Sequence, residues 1–266
     1  MTERAGQGCG EGGGRGGEQG APREGKARKE KARDLEAGIA LLWDERNPPT
    51  RGPKPTLTPR RIAEAAVVMA DAEGLDAISM NKVAAGFGVS GMALYRYVPG
   101  KNELVELMIE AVLAARPDLS GTPPDWRSRL TAWARHCHAV YAAHPWLLAA
   151  TGMRRRNLGP AELAWLDAAL AALEPTNLTA AQRHRVFLLV IGLVRNIAQQ
   201  TADADSAHEQ EWNRLTGELL ARNADRFPAL TRAVADGVFA PDPEDPLEFG
   251  LERILDGVQV LIDLRG

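Results

Sequence analysis

Residues 79–98 read SMNKVAAGFGVSGMALYRYV. Ser79 has the chemistry of a helix N-cap, and Met80, Val83 and Ala84 follow at helical spacing until Gly86, Phe87 and Gly88 interrupt them. Gly88 falls where a tight turn needs positive φ, a conformation glycine adopts without steric penalty. Ser90 then caps a further helix whose Ala93, Leu94 and Val98 face inward, and Pro99 and Gly100 end it. Two short helices joined by a glycine turn are the geometry that lays the second helix into the DNA major groove while the first crosses the phosphates. A helix so placed needs small or polar residues at its start, toward bases, and polar or cationic groups on its flanks, toward phosphates. Ser90, Gly91, Met92 and Ala93 are small or unbranched, and Tyr95, Arg96, Tyr97 and Lys101 supply hydroxyls and cations.

The helical signal extends in both directions. Upstream, Thr58 is an N-cap and Pro59 a first helical residue, and Ile62, Ala65, Ala66 and Met69 share a face until Gly74. Leu75 and Ile78 anchor the connection to Ser79, so three helices fit within about forty residues. Downstream, Leu104, Leu107, Met108, Ala111 and Val112 predict a helix from Asn102 that Pro117 and Pro123–Pro124 interrupt. Further helices are predicted at 126–143, 145–152, 160–173, 179–201, 207–225, 228–236 and 246–264, with Pro or Gly between them and no strand-like alternation. The fold class is all-α: a helix-turn-helix unit over 58–104 and a helical domain over 105–266.

Residues 1–33 alternate glycine with charge and offer almost nothing to bury, which predicts a disordered tail. Over 34–57, Leu35, Ile39, Leu42 and Trp43 space as a short helix, and a basic linker rich in proline follows. Arg51 and Lys54 in that linker have two readings, an arm reaching a groove or phosphates and a solvated connection.

At 266 residues the chain is long enough for an ordinary core without disulfides. With no run of about 18 apolar residues and no apolar signal at its start, it reads as a cytoplasmic protein without a membrane segment. Its two cysteines, Cys9 and Cys137, cannot supply a zinc site or a disulfide framework. The net charge of −3 argues against indiscriminate nucleic-acid binding, yet residues 1–101 carry +3 and the remainder −6.

These residues resemble the tetracycline-repressor family of one-component bacterial regulators. The resemblance runs from Thr58 through Leu107, in the opening TPRRIAEAAVVMADAEGLDAIS, the turn GFGVS and the stretch MALYRYVPGKNEL. WRSRLTAWARHCHAVYAAHPWLL and GPAELAWLDAALAAL look like the family's ligand-binding domain. The resemblance implies a homodimer, an operator with two half-sites, and a small-molecule pocket whose occupancy weakens DNA binding. It assigns base-edge roles to Asn81, Gly91, Met92 and Ala93, and phosphate roles to Thr58, Ser79, Tyr95, Tyr97 and Lys101. Gly91 departs from members with a long polar side chain there, so readout at that base is weak or falls to Asn81, whose amide suits adenine.

Several residues have a second reading. Tyr95 and Tyr97 also suit packing on the first helix of the unit, and Met92 suits either a thymine methyl or the core. His136, Cys137, His138 and His144 contain no i, i+4 pair, so no metal and no cofactor is expected. Trp133, Cys137 and Tyr141 form one helical stripe which, with Trp165, reads as core or as pocket wall. Arg195 and Asn196 interrupt the apolar run VFLLVIGLVRNIA and need polar partners: a salt bridge or an interhelical hydrogen bond, or a ligand oriented by Asn196 and Gln199. Such a pocket suits an uncharged or weakly polar aromatic effector. Helices 179–201 and 246–264 carry more apolar surface than one subunit buries, which predicts a homodimer through an intersubunit four-helix bundle. No catalytic signature is present, so an enzyme is not expected, and an architectural DNA binder without ligand is the rival reading.

Overall fold

The computed structural model describes residues 36–43, 57–152, 159–203, 206–238 and 243–265. The expectations for the tail over 1–33 and for Arg51 and Lys54 lie outside these residues. The described residues contain helices and turns and no strand. A short helix α1 (residues 36–42) buries Leu41 and Leu42. The head follows with α2 (Pro59–Glu73), a 3-10 turn (Leu75–Ala77), α3 (Met80–Gly86) and α4 (Gly91–Leu94). The remaining helices are α5 (Lys101–Leu113), α6 (Trp126–Ala143), α7 (Trp146–Gly152), α8 (Pro160–Leu173), α9 (Ala180–Asp203), α10 (Ser206–Arg222), α11 (Pro228–Ala235) and α12 (Pro246–Asp263).

Local chemistry explains the head. Thr58 Oγ1 accepts from Arg61 N, Pro59 opens α2, and Gly74 closes it at φ +83°. Ser79 Oγ accepts from Lys82 N, and Gly88 turns the chain at φ +67°. Hydroxyl caps of this kind contribute about 1 kcal/mol each. α4 is shorter than its apolar spacing suggests. Helical bonding stops at Leu94, whose carbonyl accepts from both Tyr97 N and Val98 N, because Pro99 and Gly100 stand close behind. Val98 is buried all the same, so the inward register holds through the turn.

One core runs through head and body without a break at 104/105. α5 is the reason: it packs on α2 within the head and on α7 and α8 in the body. Its Glu110 carboxylate accepts from Ala161 N (2.7 Å) and Glu162 N (3.1 Å), capping the start of α8. A second tie crosses from Asp71 in α2. His144 Nδ1 lies 2.7 Å from Asp71 Oδ1, and the same oxygen accepts from Trp146 Nε1 at 2.7 Å. α6 packs on α8 and α9, and α9 on α12. Arg127–Asp256 and Arg135–Glu248 link α6 to α12 across exposed surface, where ion pairs set alignment more than stability.

Candidate functional site

The head presents its predicted residues unevenly. Asn81, Ser90, Met92, Tyr95, Arg96 and Lys101 are exposed, whereas Gly91, Ala93 and Tyr97 are half-buried. Met92 has 76% of its surface exposed, so of its two readings the structure removes the core. Tyr97 packs against the core and Tyr95, at 46% exposure, stands free of it, which separates two residues the sequence treats alike. The hydroxyls of Thr58 and Ser79 are occupied as acceptors in helix caps but keep a proton to donate outward. Ser90 precedes α4 without a side-chain cap bond. Lys82 is held by Glu73, and Arg60 by Glu64, so these two cations are partly neutralised.

In the body, the stripe on α6 is interior. Trp133, Cys137, Tyr141 and Trp165 are buried. Trp133 Nε1 donates to Trp165 O (2.9 Å), and Trp165 Nε1 donates to Leu113 O (3.0 Å). The two indoles meet edge to face at 6.4 Å, and Phe187 of α9 meets Trp133 at 5.8 Å. Burial pushes the Cys137 thiol up to about 12 and raises the Tyr141 phenol, so both stay protonated at neutral pH.

Asn196 and Gln199 do not join this cluster. They lie on the exposed face of α9 with Leu188, Leu189 and Gly192, about one helical step away from the inward side. The inward polar group is Arg195. Its Nη1 donates to Tyr141 Oη (3.0 Å) and to Thr151 Oγ1, and its Nη2 donates to Leu148 O (3.0 Å). Thr151 gave no signal in the sequence, because it becomes a partner only when the end of α7 meets α9. His136 Nδ1 lies 2.8 Å from Ala132 O on its own helix, and His144 belongs to the Asp71 tie. A separate open cleft of about 500 Å³ lies between α6 and α12, lined in part by Thr131, Arg135, Glu248 and Leu251.

Residues 62–108 match bacterial regulatory proteins of the tetR family, and residues 120–262 match the tetracyclin repressor-like C-terminal domain. The chain is 38% identical to the HTH-type transcriptional repressor DrrR1 of Streptomyces coeruleorubidus, over 92% of this chain and 93% of that one. The chain belongs to the tetracycline-repressor family of helix-turn-helix transcriptional repressors. Its fold is also that of apo ActR from Streptomyces coelicolor, with TM-score 0.68 and 24% identity over 80% of this chain and 100% of that one. The complex of ActR with actinorhodin is similar at TM-score 0.64 and 24% identity, over 78% and 97% of the two chains.

Within this tetracycline-repressor fold, the exposed polar and cationic groups Asn81, Ser90, Tyr95, Arg96 and Lys101 lie on or beside α3, α4 and the start of α5. Among the described residues no helix is long and apolar enough to cross a membrane. Asp71 ties the head to the body, and Arg195 ties α9 to α6 and α7.

Proposed function

We propose that the protein represses transcription as a homodimer on a palindromic operator and that a small aromatic effector releases it. The supporting observation is the path from surface to interior along α5. This helix begins with Lys101 on the polar face of the head and ends with Leu113, whose carbonyl accepts from Trp165 Nε1. A ligand that rearranges the Trp133–Trp165 pair therefore acts directly on the helix that carries the head. The ActR complex with actinorhodin supports a small-molecule ligand for a protein of this fold.

For the dimer, α9 exposes Leu188, Leu189 and Gly192, and α12 exposes Phe249 and Val260, an apolar surface at the two helices expected to pair. In a dimer, Asn196 and Gln199 lie against the partner rather than against the effector. Release requires that the effector bind the state whose heads miss the half-site spacing of about 34–36 Å more tightly than the state that fits it. A tenfold loss of operator affinity needs about 1.4 kcal/mol of that difference.

The test is a mobility shift with inverted-repeat fragments from upstream of the gene, combined with light scattering for mass. The expected results are a salt-dependent, sequence-specific shift by a dimer, and aromatic compounds that quench tryptophan fluorescence and release DNA over the same concentration range. A monomer at micromolar concentration, or quenching without release across a broad aromatic panel, would overturn the reading.

A further inference from the structure

We propose that the effector carries an acidic group, a carboxylate, and that Arg195 is its counter-ion. The inference rests on the ligand-binding reading above and replaces the expectation of an uncharged effector.

Arg195 differs from the arginines that surface carboxylates hold. Arg60, Arg127, Arg135, Arg214 and Arg253 each pair with a carboxylate on exposed surface, where water would solvate them in any case. Arg195 is half-buried between α6, α7 and α9, where a cation most needs a counter-ion, and its partners are neutral. They are the Tyr141 hydroxyl, the Thr151 hydroxyl and the Leu148 carbonyl, with the Tyr141 ring centroid 5.6 Å from the guanidinium carbon. Tyr141 is no latent anion, since burial raises its pKa and keeps it a phenol.

A guanidinium has five N–H donors, and the three bonds of Arg195 engage only the two terminal nitrogens, leaving donor capacity at the site. It is also reachable. Gly152, whose absent Cβ would stand 3.5 Å from Arg195 Nη2, is exposed. A planar fork that is itself only partly buried, beside an aromatic ring and three neutral hydrogen-bonding groups, suits a carboxylate on an aromatic body. The carboxylate takes the fork, while the body replaces packing around Tyr141 and Trp133. Holding a cation ready in this way costs stability in the empty protein and favours an acid over its neutral analogue when the site fills.

The experiment uses the full chain and matched probes: 2-naphthoic and anthracene-2-carboxylic acids, with the methyl ester and the primary amide of each, titrated by calorimetry. The expected result is at least tenfold tighter binding of the acids than of their esters and amides, a preference abolished by Arg195→Gln and partly kept by Arg195→Lys. Equal affinity of acid and ester for the unmodified protein, or a preference that survives Arg195→Gln, overturns the inference while leaving the pocket reading intact. Absence of binding by every member of both series defeats the pocket reading and the inference with it. Thermal unfolding of each variant accompanies the titrations. If Arg195→Gln does not fold, the acid–ester comparison on the unmodified protein and on Arg195→Lys decides.

Discussion

The side chain of Asn81 occupies the space into which a Cβ on Gly91 would project, with Asn81 Cγ 3.2 Å and Asn81 Cα 3.8 Å from that point. The absence of a side chain at one position thus orients the amide at the other, and the two residues act as one unit at the junction of α3 and α4. A family member with a long side chain at the Gly91 position cannot hold an Asn81 amide in this way.

From that relationship, Gly91→Ala should displace the Asn81 amide and weaken operator binding by about 1–2 kcal/mol, the worth of one base contact. Asn81→Ala should cost a similar amount, and the double variant little more than either alone, because the second change removes what the first has already disturbed. Fluorescence anisotropy with operator DNA measures all three. Fully additive losses would show that the two side chains act independently.

Lys101 opens α5, where the positive end of the helix dipole disfavours a cation, so its presence is not explained by fold stability. Lys101→Ala should leave the melting temperature unchanged or slightly higher. It should weaken binding to specific and non-specific DNA alike and lower the slope of log affinity against log salt by about one. An unchanged salt slope would remove Lys101 from the phosphate contacts.

Asp71 is the acceptor shared by His144 and Trp146 across the junction of head and body. Asp71→Ala leaves a partly buried indole N–H without its acceptor, for a loss of about 1–2 kcal/mol of stability. Operator affinity should fall with the salt slope unchanged, because no phosphate contact is lost. Asp71→Asn keeps an acceptor for Trp146 and should recover most of the stability. Denaturant melts and salt titrations of DNA binding check both. A changed salt slope in Asp71→Ala would place this residue at the DNA instead.

Cys137 makes alkaline stability testable. Burial pushes its thiol up to about 12, whereas the thiol of an unfolded chain titrates near 8.5. The unfolded chain therefore loses its proton first, and stability present below about pH 8.5 is lost as pH rises toward 12, at about 1.4 kcal/mol per pH unit. Urea melts between pH 8 and 10 should fall more steeply for the unmodified protein than for Cys137→Ala. Parallel pH profiles would mean that the thiol ionises as readily folded as unfolded.

The stretch 79–98 and its flanks determined the head from sequence alone. Caps at Thr58 and Ser79, the turn at Gly88 and the stops at Gly74 and Pro99 act within a few residues of chain, so their effect is readable without knowing what packs on them. Inward registers were legible for the same reason, as Leu94, Leu104 and Met108 show by being fully buried. The stripe of Trp133, Cys137 and Tyr141 was likewise visible, since helical spacing alone puts the three on one face.

What spacing could not determine was the partner of each face. Asn196 and Arg195 are adjacent and both polar in an apolar run, yet one points outward on α9 and the other into the subunit. The choice depends on where α6 and α7 lie against that helix, and hence on contacts between residues more than forty positions apart. Met92 and Tyr97 divided in the same way, one to solvent and one to the core. Asp71 gave no signal at all, because an exposed carboxylate on a helix becomes a tie only when a histidine and a tryptophan from a distant turn arrive beside it. Local sequence sets which conformation a segment adopts. Only the packing of segments, through burial and the pairing of polar groups that burial demands, decides which of its side chains face another part of the protein.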